Sequence, residues 1–76
     1  MIAELDVVVL TADIENTSFV KGDVGTVVHM YPNNEMCEVE FADLFGDTID
    51  VVTVPVSKLA NAKLYEGLTL HLNIAA

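Results

Sequence analysis

The side chains in this sequence that could perform chemistry are one thiol, two imidazoles and a set of carboxylates. Nucleophilic catalysis would need Cys37 beside a base, and a zinc site would need it together with His29 or His71. The histidines are far apart in the chain, and no second cysteine accompanies them. The sequence therefore predicts no catalytic residue, no metal ligand and no cofactor, with Cys37 as a buried core thiol.

The carboxylates are the second chemical feature. Glu38 and Glu40 are two residues apart in a predicted strand and therefore share its solvent-facing side. Oxygen ligands also cluster at Asp43, Asp47 and Asp50, but their spacing does not match a calcium-binding loop of the EF-hand type. We interpret these five residues as an acidic face that is available to a partner.

The charge of the chain narrows the classes of partner. Twelve Asp and Glu residues face three lysines and no arginine, which gives a net charge of −9 over 76 residues. Nucleic acids and anionic membranes should repel such a chain, because binding to them depends on cations. Basic proteins are the electrostatic match. The alternative is that the acidic surface only keeps a small protein soluble.

The number of cysteines and the length of the apolar runs indicate the cellular compartment of the protein. A single cysteine allows no internal disulfide, which fits a reducing environment. The stretch Met1-Ile2-Ala3-Glu4 lacks a basic signal-peptide region, and no apolar run approaches the ~20 residues of a membrane span. We therefore expect a cytoplasmic protein.

The hydrophobic pattern predicts strands separated by turns. A composition that is 53% hydrophobic excludes a disordered chain, and no long helical periodicity is visible. The order is strand, long polar loop, three strands joined by two tight turns, a helical turn and then a last strand. This order predicts an all-β fold, a small SH3-like barrel of about five strands, in a single domain over 1–76 with its core at 2–60. The predicted elements are the strands Leu5–Thr11, Val24–Tyr31, Met36–Phe41 and Thr48–Val54 and the turn Val56–Leu59.

Three local patterns make sharper predictions. The third strand alternates cleanly, so Cys37, Val39 and Phe41 should face the core. Gly25 lies just inside the second strand, where glycine indicates a bulge or a close backbone approach. In the polar loop, Phe19-Val20 can anchor the end of the loop in the core.

The apolar residues outnumber the inward positions of a small barrel, which favours an interface. The extension 61–76 contains a segment, 68–74, that alternates apolar and polar residues like a strand. This additional strand would either pair with a second copy of the chain or close the barrel as its fifth strand. The residues predicted at an interface are Leu68, Leu70, Leu72, Ile74, Val8 and Leu10.

Several of these segments together resemble a known family. The first strand, Lys21-Gly22-Asp23-Val24-Gly25-Thr26-Val27-Val28, Glu38-Val39-Glu40-Phe41 and Val54-Pro55 look like the uncharacterised bacterial family called domain of unknown function 4926. The resemblance covers about residues 2–60 and implies a small barrel, with no activity or catalytic residue to transfer. The segment 22–27 also resembles the KOW and CAP-Gly groups, with which it shares a glycine turn that enters a strand.

Three functions remain open from the sequence. The first is a non-catalytic protein-interaction module, including a version that self-associates through the C-terminal strand as a dimer. The second is an acidic partner of the antitoxin or immunity type that masks a basic protein. The third is a small accessory subunit of an enzyme.

Overall fold

The computed structural model of the protein describes residues 1–43 and 45–64, and these form five antiparallel strands in one sheet. The second and third strands are joined through a 3-10 turn at Pro32–Asn34, and the fourth and fifth through another at Val56–Lys58. No α-helix occurs in the described residues. The strands are β1 (Val7–Leu10), β2 (Val24–Met30), β3 (Met36–Ala42), β4 (Thr48–Pro55) and β5 (Leu59–Asn61).

The strand order is β4-β3-β2-β1-β5, so β1 is hydrogen-bonded to β2 on one side and to β5 on the other. Leu10 pairs with Leu59, and Val8 pairs with Asn61. The prediction of an all-β fold with about five strands is confirmed, and the antiparallel sheet is consistent with a small SH3-like barrel. The fifth strand is nevertheless Leu59–Asn61, directly after the predicted helical turn, at a position for which the sequence predicted no strand. The predicted strand 68–74 lies outside the described residues.

The main core cluster lies on one face of the sheet, and Val9, on the other side of β1, is also fully buried. The alternation predicted for β3 is confirmed, because Cys37, Val39 and Phe41 are all at most 1% exposed. Residues from every strand and from the β1–β2 loop complete the cluster. Its buried members are Val8, Leu10, Ile14, Phe19, Val27, Cys37, Val39, Phe41, Val54 and Leu59.

The prediction that Val8 and Leu10 lie at an interface is wrong. Each is 1% exposed and belongs to the core cluster. The reason is that β1 is a central strand, paired on both sides, and that the long loop after it adds covering side chains. The interior therefore holds more apolar residues than the count of inward strand positions indicated.

The β1–β2 loop is attached to the core by Phe19. Its ring stacks on Phe41 with the centroids 4.2 Å apart and the planes 16° from parallel. The backbone N–H of Ile14 donates to the carbonyl oxygen of Phe19 at 3.1 Å, which closes the loop on itself. The prediction for Phe19 is confirmed, whereas Val20 is 42% exposed and does not anchor the loop.

The loop ends at Asp23, a buried acidic residue. Its side chain is 1% exposed, and its Oδ2 accepts a hydrogen bond from the backbone N–H of Val20 at 3.0 Å. Its carbonyl oxygen accepts from the N–H of Leu10 at 2.9 Å, so the same residue ties the turn to β1. Asp23 therefore holds the turn that leads into β2 in its position.

We expect Asp23→Ala to lower the free energy of unfolding by about 2 kcal/mol, because it removes a buried carboxylate that accepts the hydrogen bond from the partly buried N–H of Val20. Urea denaturation followed by circular dichroism measures this change. Asp13→Ala is the matched control, since exposed Asp13 accepts from the N–H of Lys21 at 2.9 Å in the same loop. An equal loss in both variants would contradict a special role for the buried carboxylate.

Candidate functional site

A polar cluster lies on the outer face of the sheet, opposite the core. His29 of β2 pairs with Glu38 of β3, and Glu38 pairs in turn with Thr53 of β4. The hydroxyls of Tyr31 and Thr53 both donate to Oε2 of Glu38, each at 2.6 Å. The rings of His29 and Tyr31 meet edge to face with centroids 4.7 Å apart. These four residues form the polar cluster.

A β-bulge in β2 places His29 on this face. The pairing with β3 shifts between Val27 and His29, so Val28 is the extra residue. Because side chains alternate along a regular strand, residues 27 and 29 would otherwise point to the same side. Val27 is fully buried, while His29 pairs with the outward Glu38. The bulge thus moves an imidazole from the core side to the solvent side.

The N-terminal segment adds Glu4 at the margin of the cluster. Its Oε2 accepts a hydrogen bond from the backbone N–H of Met30 at 3.2 Å and lies 3.8 Å from Nδ1 of His29. The N–H of Leu5 donates to the carbonyl oxygen of Val27 at 2.7 Å, which fixes this segment against β2. Glu4, Tyr31 and Thr53 were not predicted as site residues, since only the fold brings Tyr31 and Thr53 to Glu38 and Glu4 to His29.

The hydrogen bonds change the acidity of the cluster. The hydroxyl of Thr53, then that of Tyr31, stabilises the carboxylate of Glu38 and holds its pKa below the usual range, and the nearby His29 acts in the same direction. The pKa of Tyr31 is raised, chiefly because its hydroxyl donates to Glu38. The arrangement therefore keeps an anion on the outer face.

We expect Thr53→Val to raise the pKa of Glu38, because the strongest stabilising donor is lost. In the native protein the pKa of folded Glu38 is depressed, so its contribution to stability is present above the unfolded value of about 4.3 and is lost as the pH falls through the folded value. A carbon-detected NMR titration of the Glu38 carboxyl measures the shift. Thr48→Val is the control, since Thr48 donates to Glu40 instead, at 2.9 Å. An unchanged pKa of Glu38 in Thr53→Val would contradict the role of the Thr53 hydroxyl in stabilising this carboxylate.

An open groove lies beside the polar cluster on the same face. Val7, Thr26, Glu40 and Val51 are paired in succession across β1, β2, β3 and β4. The groove follows the first three of these strands and has a volume of about 220 Å³. Its lining combines the apolar side chains of Val7, Val24 and Ala42 with the carboxylates of Glu40 and Asp43. The described residues that line the groove are Val7, Val24, Gly25, Thr26, Glu40, Ala42 and Asp43.

The predicted acidic face is divided in the structure. Glu38 and Glu40 lie together on the outer face, as predicted. Asp43 lies in the β3–β4 turn, where its Oδ1 accepts from the N–H groups of Phe45 and Asp47. Asp50 pairs with Phe41, and paired residues share a side of the sheet, so Asp50 lies on the core side of β4. The prediction of one continuous face is therefore wrong for Asp50.

The other chemical candidates lie apart from this face. Cys37 has no exposed surface, and its Sγ–H donates to the carbonyl oxygen of Val54 at 3.7 Å. Burial, and secondly the charge of Glu38, raises the pKa of this thiol. In residues 1–43 and 45–64, no three His, Cys, Asp or Glu side chains come close enough to hold a metal ion. The predicted interface segment 68–74, which includes His71, lies outside the described residues.

The described residues contain no helix with the length and apolar character of a membrane span.

The fold and the outer face together define a small all-β domain with an acidic, partly apolar surface.

Comparison with known families assigns this domain more narrowly. The family described as domain of unknown function (DUF4926) matches residues 4–61, which include all five strands. The chain belongs to this family. No curated protein and no solved structure matches it significantly.

Proposed function

We propose that this protein is a non-catalytic protein-interaction module that binds a basic, extended segment of a partner protein on its outer sheet face. The observation that carries the proposal is the row of paired residues across four strands. In this row Val7 and Val51 are 48% and 44% exposed, and Glu40 lies between them. Such a row offers apolar contacts and a carboxylate to the same ligand.

The neighbouring row reinforces the acidic character of the surface. Glu38 is held as an anion by two hydroxyl donors and lies next to Glu40 along the outer side of β3. Tyr31 and Val28 are also exposed there, at 39% and 40%. Interfaces commonly combine an aromatic side chain with polar groups at the rim, so the face has the composition of a binding surface.

The charge of the whole chain favours a cationic partner. With a net charge of −9, the field around the protein attracts basic segments over several ångströms and accelerates encounter. We propose that the protein acts in the cytoplasm, and the single cysteine, present as a free thiol, supports a reducing compartment.

We propose further that the protein does not catalyse a reaction. The thiol is buried with a raised pKa, which is the opposite of an activated nucleophile. The groove of about 220 Å³ is also smaller than the ~300–1,000 Å³ of typical ligand pockets. It can receive side chains of a partner better than a whole small-molecule substrate.

The experiment is a titration of the nitrogen-labelled full chain with an octapeptide of alternating lysine and valine. We expect amide shifts along β1, β2 and β3, with an affinity that falls as the salt concentration rises. Glu40→Gln should weaken binding by about two- to fivefold, the value of one exposed ion pair. Glu15→Gln, a change at an exposed loop carboxylate, should leave binding unaltered.

An octapeptide of alternating glutamate and valine serves as the charge-reversed ligand. Equal binding of the two peptides would contradict recognition by charge. Shifts confined to residues outside the outer face would contradict the surface itself.

A further inference from the structure

Leu5, two residues before β1, has an unusual backbone conformation. Its φ is +72°, in the left-handed region that bulky residues rarely adopt. The N–H of Asp6 donates to the carbonyl oxygen of Ala3 at 3.1 Å, so residues 3–6 form a β-turn with Leu5 in its third position. Since φ is positive at Leu5 but not at Glu4, the turn is of type II, which ordinarily has glycine or asparagine at this position. The turn therefore strains the leucine.

Hydrogen bonds on both sides hold this conformation. The N–H of Ala3 donates to Oδ2 of Asp6 at 2.9 Å, which closes the turn a second time. The N–H of Leu5 donates to the carbonyl oxygen of Val27 at 2.7 Å, and the N–H of Val27 donates to that of Asp6 at 3.0 Å. Two residues thus oppose one, as in a β-bulge whose first residue is ordinarily a left-handed glycine. The surrounding backbone determines the conformation, whichever side chain residue 5 carries.

The side chain of Leu5 does not support the core. It is 80% exposed and is not among the hydrophobic residues that pack against the core cluster. Within the described residues, little apolar burial therefore offsets the strain at this position. Strained residues of this kind cluster at functional sites.

The residues around Leu5 are apolar and acidic. Val7 in β1 is 48% exposed, and Val28, which follows the residue to which Leu5 donates, is 40% exposed. Glu4 and Asp6 flank Leu5 in the chain. A second copy of this chain would bring the same carboxylates and a net charge of −9, so like charges would repel it. A basic segment that also carries apolar side chains is the complementary ligand.

We propose that Leu5 is an apolar anchor for the basic, extended partner segment, in contact with the apolar side chains of that segment. This inference rests on the proposed function and adds to its surface a residue that determines specificity. The row of paired residues begins at Val7, and Leu5 extends its apolar surface beyond that end. The strain at residue 5 then has a reason, because glycine or asparagine would relieve it but would offer no apolar contact.

The test measures binding and stability of the same full-chain variants. Leu5→Gly should weaken binding of the octapeptide of alternating lysine and valine by about three- to tenfold, the value of one partly buried leucine side chain. The same change should raise the midpoint of urea denaturation by about 0.3–0.5 M, because it removes the backbone strain. A residue that only supports the fold would not give this combination of weaker binding and higher stability.

Two further variants serve as comparisons. Leu5→Met keeps an unbranched apolar side chain at the strained position and should retain most of the affinity and the native midpoint. Val20→Ala is the matched control, since Val20 is also an exposed apolar residue but lies in the β1–β2 loop. It should leave peptide binding unaltered.

Three results would overturn the proposal. A lower urea midpoint in Leu5→Gly would show that the leucine side chain stabilises the fold. Unaltered peptide affinity in Leu5→Gly would show that the side chain does not contact the ligand. A native dimer that dissociates in Leu5→Gly, measured by light scattering, would assign the residue to a contact with a second copy.

Comparison with Glu40→Gln separates this proposal from the proposed function. If Glu40→Gln weakens binding and Leu5→Gly does not, the partner surface stands and the anchor role of Leu5 fails. If only Leu5→Gly weakens binding, the anchor stands and the row through Glu40 fails as the binding surface. If the native protein does not bind the peptide, both proposals fail.

Discussion

Phe19→Ala is expected to lower the free energy of unfolding by about 3–5 kcal/mol, the usual cost of removing a buried aromatic side chain. Phe19 is 3% exposed and stacks on Phe41 at 4.2 Å, so the substitution leaves a cavity against a central core ring. It also removes the ring that attaches the β1–β2 loop to the core, while the backbone hydrogen bonds of residue 19 with Thr17 and Ile14 remain. A small domain has only about 5–15 kcal/mol of stability in total.

Urea denaturation measures this loss, and Phe45→Ala is its matched control. Phe45 has the same side chain but is 89% exposed in the β3–β4 turn, so its truncation should change stability by less than about 0.5 kcal/mol. Phe19→Leu should recover most of the loss, because it retains apolar volume while giving up the stacked ring. A loss in Phe19→Ala no larger than that in Phe45→Ala would show that the loop does not contribute to the core.

The regular parts of this fold were predictable from local pattern. β3 alternates without interruption, so the buried positions of Cys37, Val39 and Phe41 followed directly from its sequence. The 3-10 turn at Val56–Lys58 was predictable because Pro55 ends the ladder of β4. In both cases neighbouring residues in the chain determine the structure.

Irregular pairing limited the prediction of the candidate site. The bulge at Val28 moves His29 to the outer face, and a second register shift near Ala42 precedes the pairing of Asp50 with Phe41. A one-residue shift moves every following side chain to the other face, and no local residue type specifies it here. Glu40 was correctly placed because β3 itself is regular. The side of Asp50 follows from alternation with the buried Val54 in β4, because the register shift lies beyond Asp50.

Tertiary pairing explains the errors in β1 and β5. β5 has three residues, Leu59–Asn61, which is too short for alternation to be recognised. Without this strand the barrel had too few inward positions for its apolar residues, and this shortage predicted Val8 and Leu10 at an interface. The number of inward positions in a barrel depends on which strands close it and on loop residues such as Ile14, and these are properties of the whole chain.

The second large effect is expected at Gly25, where Gly25→Ala should lower the free energy of unfolding by about 3 kcal/mol, the upper part of the range for overpacked cores. A Cβ atom there would lie 2.6 Å from Cγ1 of Val39 and 2.9 Å from the carbonyl oxygen of Glu40. It would also lie 3.0 Å from Cδ1 of Phe41, the ring on which Phe19 stacks. The glycine therefore permits the close contact of β2 with β3 that seats the aromatic pair.

Gly46→Ala is the matched control, because the reason for glycine differs there. Gly46 has a φ of +84°, and a Cβ atom at this position would meet no other atom within 4 Å. Gly46→Ala should therefore lower the free energy of unfolding by only about 1–2 kcal/mol, the cost of a left-handed backbone conformation.

The double variant Gly25→Ala, Val39→Ala should lose less stability than the sum of its single variants, since the second change removes the closest of the three contacts. The contact with the carbonyl oxygen of Glu40 remains, so recovery should be partial. Full additivity in urea denaturation would show that crowding against Val39 is not the source of the loss.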